Sequence, residues 1–123
     1  DRAPLRTARD LLAVIDAAHV GHGRRHHPAT LVFQALRIAT NDEFSALETF
    51  LRHLPGCLKL GGRVAILTFH SGEDRRVKKS FQAGARDGVY GRIAEEVVRP
   101  GAGEVRSNPR ASSAKLRWAM RAV

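Results

Sequence analysis

Between Gly62 and His70 lies Val64-Ala65-Ile66-Leu67-Thr68-Phe69, a short segment dominated by apolar β-formers. It is nearly continuous rather than alternating, and it is too short for a buried helix. That pattern favours a strand covered on both faces, as in a parallel sheet. One strand makes no sheet, so the segment obliges the fold to supply partners. Two are predicted later in the chain, Ile93–Val98 and Ala114–Ala122, joined by the polar, turn-forming stretch Pro100–Ser113. Two strands in succession without an intervening helix point to an antiparallel end. A single parallel strand before them is incomplete, and further strands are expected upstream.

The rest of the predicted order is helical. Thr7-Ala8-Arg9-Asp10 reads as a capping box, followed by the stripe Leu11, Leu12, Ile15 and Ala18, which ends before Gly21. The segment His22–Pro28 is a basic, glycine-containing loop closed by proline. Helical spacing returns with Phe33, Leu36, Phe44, Leu47, Leu51 and Leu54, and Asn41-Asp42 marks a break between two pieces. Pro55-Gly56 and Gly61-Gly62 punctuate the connection into the strand. Ser71-Gly72-Glu73-Asp74 is a further capping signal, leading into a helix over Arg75–Phe81, with a glycine-rich loop over 84–91. Helix, Gly-Gly turn and buried strand belong to doubly wound α/β architecture.

Composition narrows the function classes. The chain has 123 residues, 43% hydrophobic and 27% charged, which is ordinary for a globular domain and excludes wholesale disorder. The longest apolar run is about five residues (Leu11–Ile15), against the roughly 20 that a membrane span needs. Cys57 is the single cysteine, so an internal disulfide and a multi-cysteine zinc site are excluded. It reads as a small buried apolar residue, and its solitude fits a reducing compartment. No signal peptide is visible and no initiator methionine opens the chain, so a fragment or processed piece is expected. Net charge is +9. Residues 1–62 carry 8 basic and 6 acidic side chains, whereas residues 63–123 carry 13 and 6. After Glu104 stand Arg106, Arg110, Lys115, Arg117 and Arg121 with no acid among them. Such a balance favours a polyanion, nucleic acid first, over a soluble basic protein with no such partner.

Four groups can carry chemistry. His70 follows the predicted strand, where open α/β sheets bind ligands, and either meets a base or phosphate or satisfies loop backbone. Ser71 and Asp74 either join it or cap the helix. Arg75, Lys78 and Lys79 share a helix face and either neutralise phosphates or form a solvated surface. In Asn108–Arg117 the Asn-Pro turn is followed by arginine, serine and lysine donors suited to phosphate and sugar oxygens. If 114–122 is a strand, Lys115, Arg117, Ala119 and Arg121 share one face, while Leu116, Trp118 and Met120 form the other, which is read as core. His19, His22, His26 and His27 span a glycine-containing loop with no cysteine near, so no metal is assigned.

Four ordered segments carry a resemblance: His27-Pro28-Ala29-Thr30 through Phe33-Gln34-Ala35-Leu36-Arg37-Ile38, Gly61-Gly62-Arg63, Phe69-His70-Ser71-x-Glu73-Asp74-Arg75-x-Val77-Lys78, and Asn108-Pro109-Arg110-Ala111-x-Ser113-Ala114-Lys115-Leu116-Arg117. With Arg6-Thr7-Ala8-x-Asp10-Leu11, they resemble the bacterial small-subunit (16S) ribosomal RNA cytosine-N4 methyltransferases of the MraW or RsmH type. Leu31-Val32, Leu60, Gly72 and Ser112 depart from that pattern. The resemblance implies the carboxyl-terminal part of a Rossmann-like class I S-adenosylmethionine-dependent methyltransferase. Residues 1–27 would end an inserted helical substrate-recognition domain, and 28–123 would form the later half of the Rossmann-like domain. It implies a cytoplasmic enzyme acting on ribosomal RNA or the small subunit, with no membrane partner. S-adenosylmethionine would be bound mainly by an amino-terminal half, with no cofactor-binding residue in this fragment, and the fragment alone is expected to be inactive. It further implies His70 as a pocket wall and Arg37, Ser71, Arg75, Lys78, Asn108, Arg110, Ser113, Lys115 and Arg117 as RNA contacts. A non-catalytic basic RNA-binding module is the alternative.

Overall fold

A computed structural model describes residues 4–18 and 28–123. They divide into two compact units, Asp1–Glu43 and Phe44–Val123. The histidine-rich loop before Pro28, with His19, His22, His26 and His27, lies outside the described residues.

In the first unit, α1 (Ala8–Ala17) begins as its sequence dictates. The Thr7 hydroxyl accepts from the Asp10 amide at 3.2 Å, and the Thr7 amide donates back to the Asp10 carboxylate at 2.9 Å. Donation from the Arg6 and Thr7 amides holds the Asp10 carboxyl below its ordinary pKa. α1 buries Ile15 and packs against α2 (Pro28–Asn41), which buries Ala29. Asp42, at φ 51°, interrupts the helical backbone before α3 (Glu43–Cys57). Aspartate is one of the few side chains that enters this left-handed region readily.

The second unit continues α3, which runs through Pro55-Gly56 to Cys57 rather than ending before them. Proline is accommodated because it falls in the last turn, which closes with Leu58 N–H donating to the Pro55 carbonyl at 3.2 Å. Cys57 is exposed at that end, not buried as the sequence reading expects. Then follow β1 (Arg63–Thr68), α4 (Ser71–Arg86), β2 (Tyr90–Ile93), α5 (Ala102–Ser107), a 3₁₀ turn over Pro109–Ser113 and β3 (Lys115–Arg121). α4 has 16 residues where seven were expected, Arg75–Phe81; it starts at Ser71 and runs into the expected 84–91 loop, whose end at Tyr90 is already strand. It closes in a Schellman motif: Val89 N–H donates to the Gly84 carbonyl at 2.8 Å, and Gly88 N–H to Ala85 at 3.2 Å. Gly88 supplies the required left-handed residue at φ 78°.

The sheet order is β1-β3-β2, and both pairings are antiparallel. The expected parallel, doubly covered strand is therefore corrected: among the described residues β1 pairs only with β3 and is an edge. Its exposure alternates, with Val64 and Ile66 half-buried but Leu67 and the following Phe69 each 54% exposed. The expected strand Ile93–Val98 is also displaced. β2 ends at Ile93, the exposed Glu95-Glu96 pair turns away, and Val98 returns only as an isolated bridge to Leu116.

Helices α3 and α4 cover one face of this sheet. Leu51, Leu54, Val77 and Phe81 meet Tyr90 and the fully buried Ala119, with Val64, Ile66 and Ile93 packed alongside. The core face of β3 is thus the one carrying Lys115, Arg117, Ala119 and Arg121, the reverse of the expectation. Basic side chains are tolerated there because their ends find partners. Arg117 pairs with Asp74, and Arg121 donates to the Leu58 carbonyl. Leu116, Trp118 and Met120 remain half-exposed. Trp118 and Met120 line an open cavity of about 520 Å³ with Arg63, Ala65 and Arg92.

The Tyr90 ring stands edge-on to Phe81, with centroids 5.4 Å apart, and lies against Gly84, where an added Cβ would fall 2.3 Å from Cδ2. Its buried hydroxyl has no hydrogen-bond partner among the described residues, and burial pushes the phenol pKa up. A buried, unsatisfied hydroxyl costs about 1–3 kcal/mol. Tyr90→Phe should therefore leave stability unchanged or raise it by about 1 kcal/mol. Gly84→Ala should lower it by about 2 kcal/mol despite alanine's higher helix propensity, because a rigid ring occupies the space. Urea unfolding measures both, and a stabilised Gly84→Ala would contradict this packing.

Candidate nucleic-acid interface

The site begins where β1 ends. His70 is the N-cap of α4, a role the sequence reading gave to Ser71, and its Nδ1 accepts from the Gly72 amide at 3.0 Å. Phe44 flanks the imidazole at 5.7 Å between centroids. The Arg76 guanidinium stacks 3.6 Å from the Phe44 ring centre, donates to the Gly72 carbonyl at 3.1 Å and pairs with Glu48 at 3.0 Å. Gly72 leaves room for this stack: a Cβ there would fall 2.6 Å from Phe44 Cζ, so a larger residue needs the ring to shift.

One turn into α4, Asp74 is buried and bound by Arg117 through two bonds. Nε donates to Oδ1 at 2.7 Å and Nη2 to Oδ2 at 3.2 Å, with both side chains close to nine-tenths buried. Arg117 holds the Asp74 carboxyl below its ordinary 3.8, against the opposing effect of burial, with Lys115 and Arg99 adding to the lowering. One carboxylate is thus bonded by Arg117 and lies in the field of two further cations. The bridge of Val98 to Leu116 brings Arg99 opposite Lys115, across antiparallel backbone. Like charges so placed repel unless an anion lies between or above them.

The anticipated contacts distribute unevenly. Ser71, Arg75 and Lys78 lie along α4 and are exposed. Lys78 and Arg117 line one cavity of about 310 Å³ with Gln82, Ile93 and Glu95. Asn108, Arg110 and Ser113 are exposed around the 3₁₀ turn that leads into Lys115, with Ala111 buried beneath. Arg37 belongs to the first unit, where it pairs with Glu43 at 3.1 Å. Arg99 was missed by the sequence reading, because nothing local links it to Lys115. The sequence places Arg76 in the basic run Arg75-Arg76-x-Lys78-Lys79 and Phe44 on a helical stripe, but only tertiary packing brings them to His70. Among the described residues no group of three His, Cys, Asp or Glu could hold a metal ion, and no helix is long and apolar enough to cross a membrane.

A profile of the MraW methylase family matches residues 1–122. The chain is 58% identical over 90 residues to ribosomal RNA small subunit methyltransferase H 1 of Lachnoclostridium phytofermentans, covering 73% of this chain and 25% of that protein. It is 50% identical over 121 residues to ribosomal RNA small subunit methyltransferase H of Gloeobacter violaceus, covering 98% of this chain and 37% of the relative. The matched stretch is therefore only about a quarter to two-fifths of such proteins' length.

The ion pair has a testable pH signature. Because Asp74's carboxyl is lowered in the folded chain, its stabilisation is complete above its unfolded value and is lost as pH falls through the folded one. Wild type should lose more stability than Asp74→Asn on acidification below about pH 4. Arg117→Met should cost about 3 kcal/mol at neutral pH, because it strands a buried carboxylate, and adding Asp74→Leu should recover most of that. Urea titrations across pH read all three, and parallel pH profiles for wild type and Asp74→Asn would contradict the assignment.

Proposed function

The chain belongs to the MraW methylase family, and we propose that it is the carboxyl-terminal part of an enzyme that methylates the N4 amine of a cytosine in the decoding region of small-subunit ribosomal RNA. The match along 122 residues, with relatives named as small-subunit ribosomal RNA methyltransferases, carries this reading. In it, residues 1–27 end an inserted helical domain, and 28–123 close a Rossmann-like domain whose other strands lie elsewhere in the polypeptide. The free edge of β1 and the half-exposed Leu116, Trp118 and Met120 accord with a sheet that continues. The partner is the small-subunit RNA or the subunit itself, in the cytoplasm.

S-adenosylmethionine is the methyl donor of this reading. The open cavity that Trp118 shares with Met120 does not fit it: Arg63 and Arg92 flank the space, and no carboxylate lines it for ribose hydroxyls or an ammonium. This reading places the donor's site mainly on residues outside this chain, and the chain alone is then inactive. What these residues contribute is orientation. The lone pair of an exocyclic amine is delocalised into its ring, so the base must be held in a fixed pose. His70 walls the base, while Ser71, Arg75, Lys78, Asn108, Arg110, Ser113 and Lys115, with Arg37 on the other unit, take the RNA backbone. Arg117, engaged by Asp74, holds that surface in place.

Arg110→Ala with Lys115→Ala in the full-length protein should weaken RNA binding. The slope of log affinity against log salt should also flatten by about 1.4–1.8, as two phosphate contacts are lost. Unchanged slopes would make these residues solvated surface. The isolated chain should show no calorimetric binding of S-adenosylmethionine, and a micromolar dissociation constant would overturn the placement of the donor. Strong RNA binding by a full-length protein that transfers no methyl group would favour the non-catalytic RNA-binding module.

A further inference from the structure

His70 has two ring nitrogens with different fates. Nδ1 accepts the Gly72 N–H, so that nitrogen carries no proton, and the neutral ring must carry its proton on Nε2. The surroundings fix this arrangement. Phe44 packs against the ring, and Arg76 pins Phe44 from above while donating to the Gly72 carbonyl. Flipping the imidazole, which would put Cδ2 where Nδ1 stands, would break the only side-chain cap of α4. Nε2 is not buried and has no hydrogen-bond partner among the described residues. The ring therefore offers the outside one donor and no acceptor.

We propose that His70 serves the methylation reading above as an obligate hydrogen-bond donor, giving Nε2–H to an acceptor on the ring of the target pyrimidine, and that it does not take the proton from the reacting amine. The proposal rests on the functional reading of the previous section. It adds a direction to the contact: the imidazole recognises a carbonyl oxygen or an unprotonated ring nitrogen, groups that cytosine carries beside its amine. A proton acceptor for the amine must then come from another residue.

The test uses the full-length protein and a conservative substitution that separates cap from donor. Asparagine caps helices as well as any residue, its side-chain oxygen replacing Nδ1, but its amide N–H stops short of the position Nε2 occupies. His70→Asn should keep the wild-type melting temperature, RNA affinity and salt slope. Its single-turnover methylation rate should fall about 100–1,000-fold, the order expected for one lost preorganised donor. His70→Ala should lose both the cap and the rate. Long-range proton–nitrogen correlation spectra of the protein labelled with ¹⁵N-histidine should show His70 protonated on Nε2 alone. A fully active His70→Asn, or a proton on Nδ1, overturns the proposal. A reduced salt slope in His70→Asn also overturns it, in favour of a phosphate contact. A wild-type protein that leaves the RNA unmethylated overturns the functional reading, and this proposal with it.

Discussion

The pairing of Asp74 with Arg117 ties the first turn of α4 to the middle of β3 and sets how the helix docks on the sheet. β3 is the last strand in the chain yet lies between the other two, so every strand pairing closes a long loop. A buried ion pair recovers its desolvation cost only with good geometry, and here both carboxylate oxygens receive a guanidinium N–H. With α4 docked in this way, Val77 and Phe81 reach Ala119, and Tyr90 closes the core behind them. The same helix start also fixes His70. Fold and candidate site thus share one joint.

The sheet is strongly two-sided. One face is sealed by α3 and α4, while the other leaves Leu67, Trp118 and Met120 in contact with water. Its basic side chains also divide by role. Arg117 and Arg121 are spent on internal partners, whereas Lys115 and the exposed cations of α4 and the 3₁₀ turn are available to a polyanion. Counting positive charge in the sequence therefore overstates what faces outward, and the structure shows which residues remain.

Much of this was legible locally. The Thr7 capping box, the Asn41-Asp42 break and β1 and β3 within a residue or so of their ends follow from short-range chemistry that tertiary contacts did not override. What failed did so for tertiary reasons. Arginine in β3 looks like solvent face until Asp74, 43 residues away, is seen opposite it. Leu116, Trp118 and Met120 look like core until the helices are found on the other side. Ser71 looks like the cap because serine usually is one, yet the histidine before it takes the role. The link of Arg99 to Lys115 depends on one bridge and leaves no local trace.

In the proposed function these residues belong to an enzyme that methylates one cytosine amine in small-subunit ribosomal RNA. Mass-spectrometric mapping of RNA treated with the full-length protein and methyl donor decides it. A single N4-methylated cytosine within the decoding region is expected. Methylation confined to another base or another position, or none at all by a folded, RNA-binding protein, would contradict it.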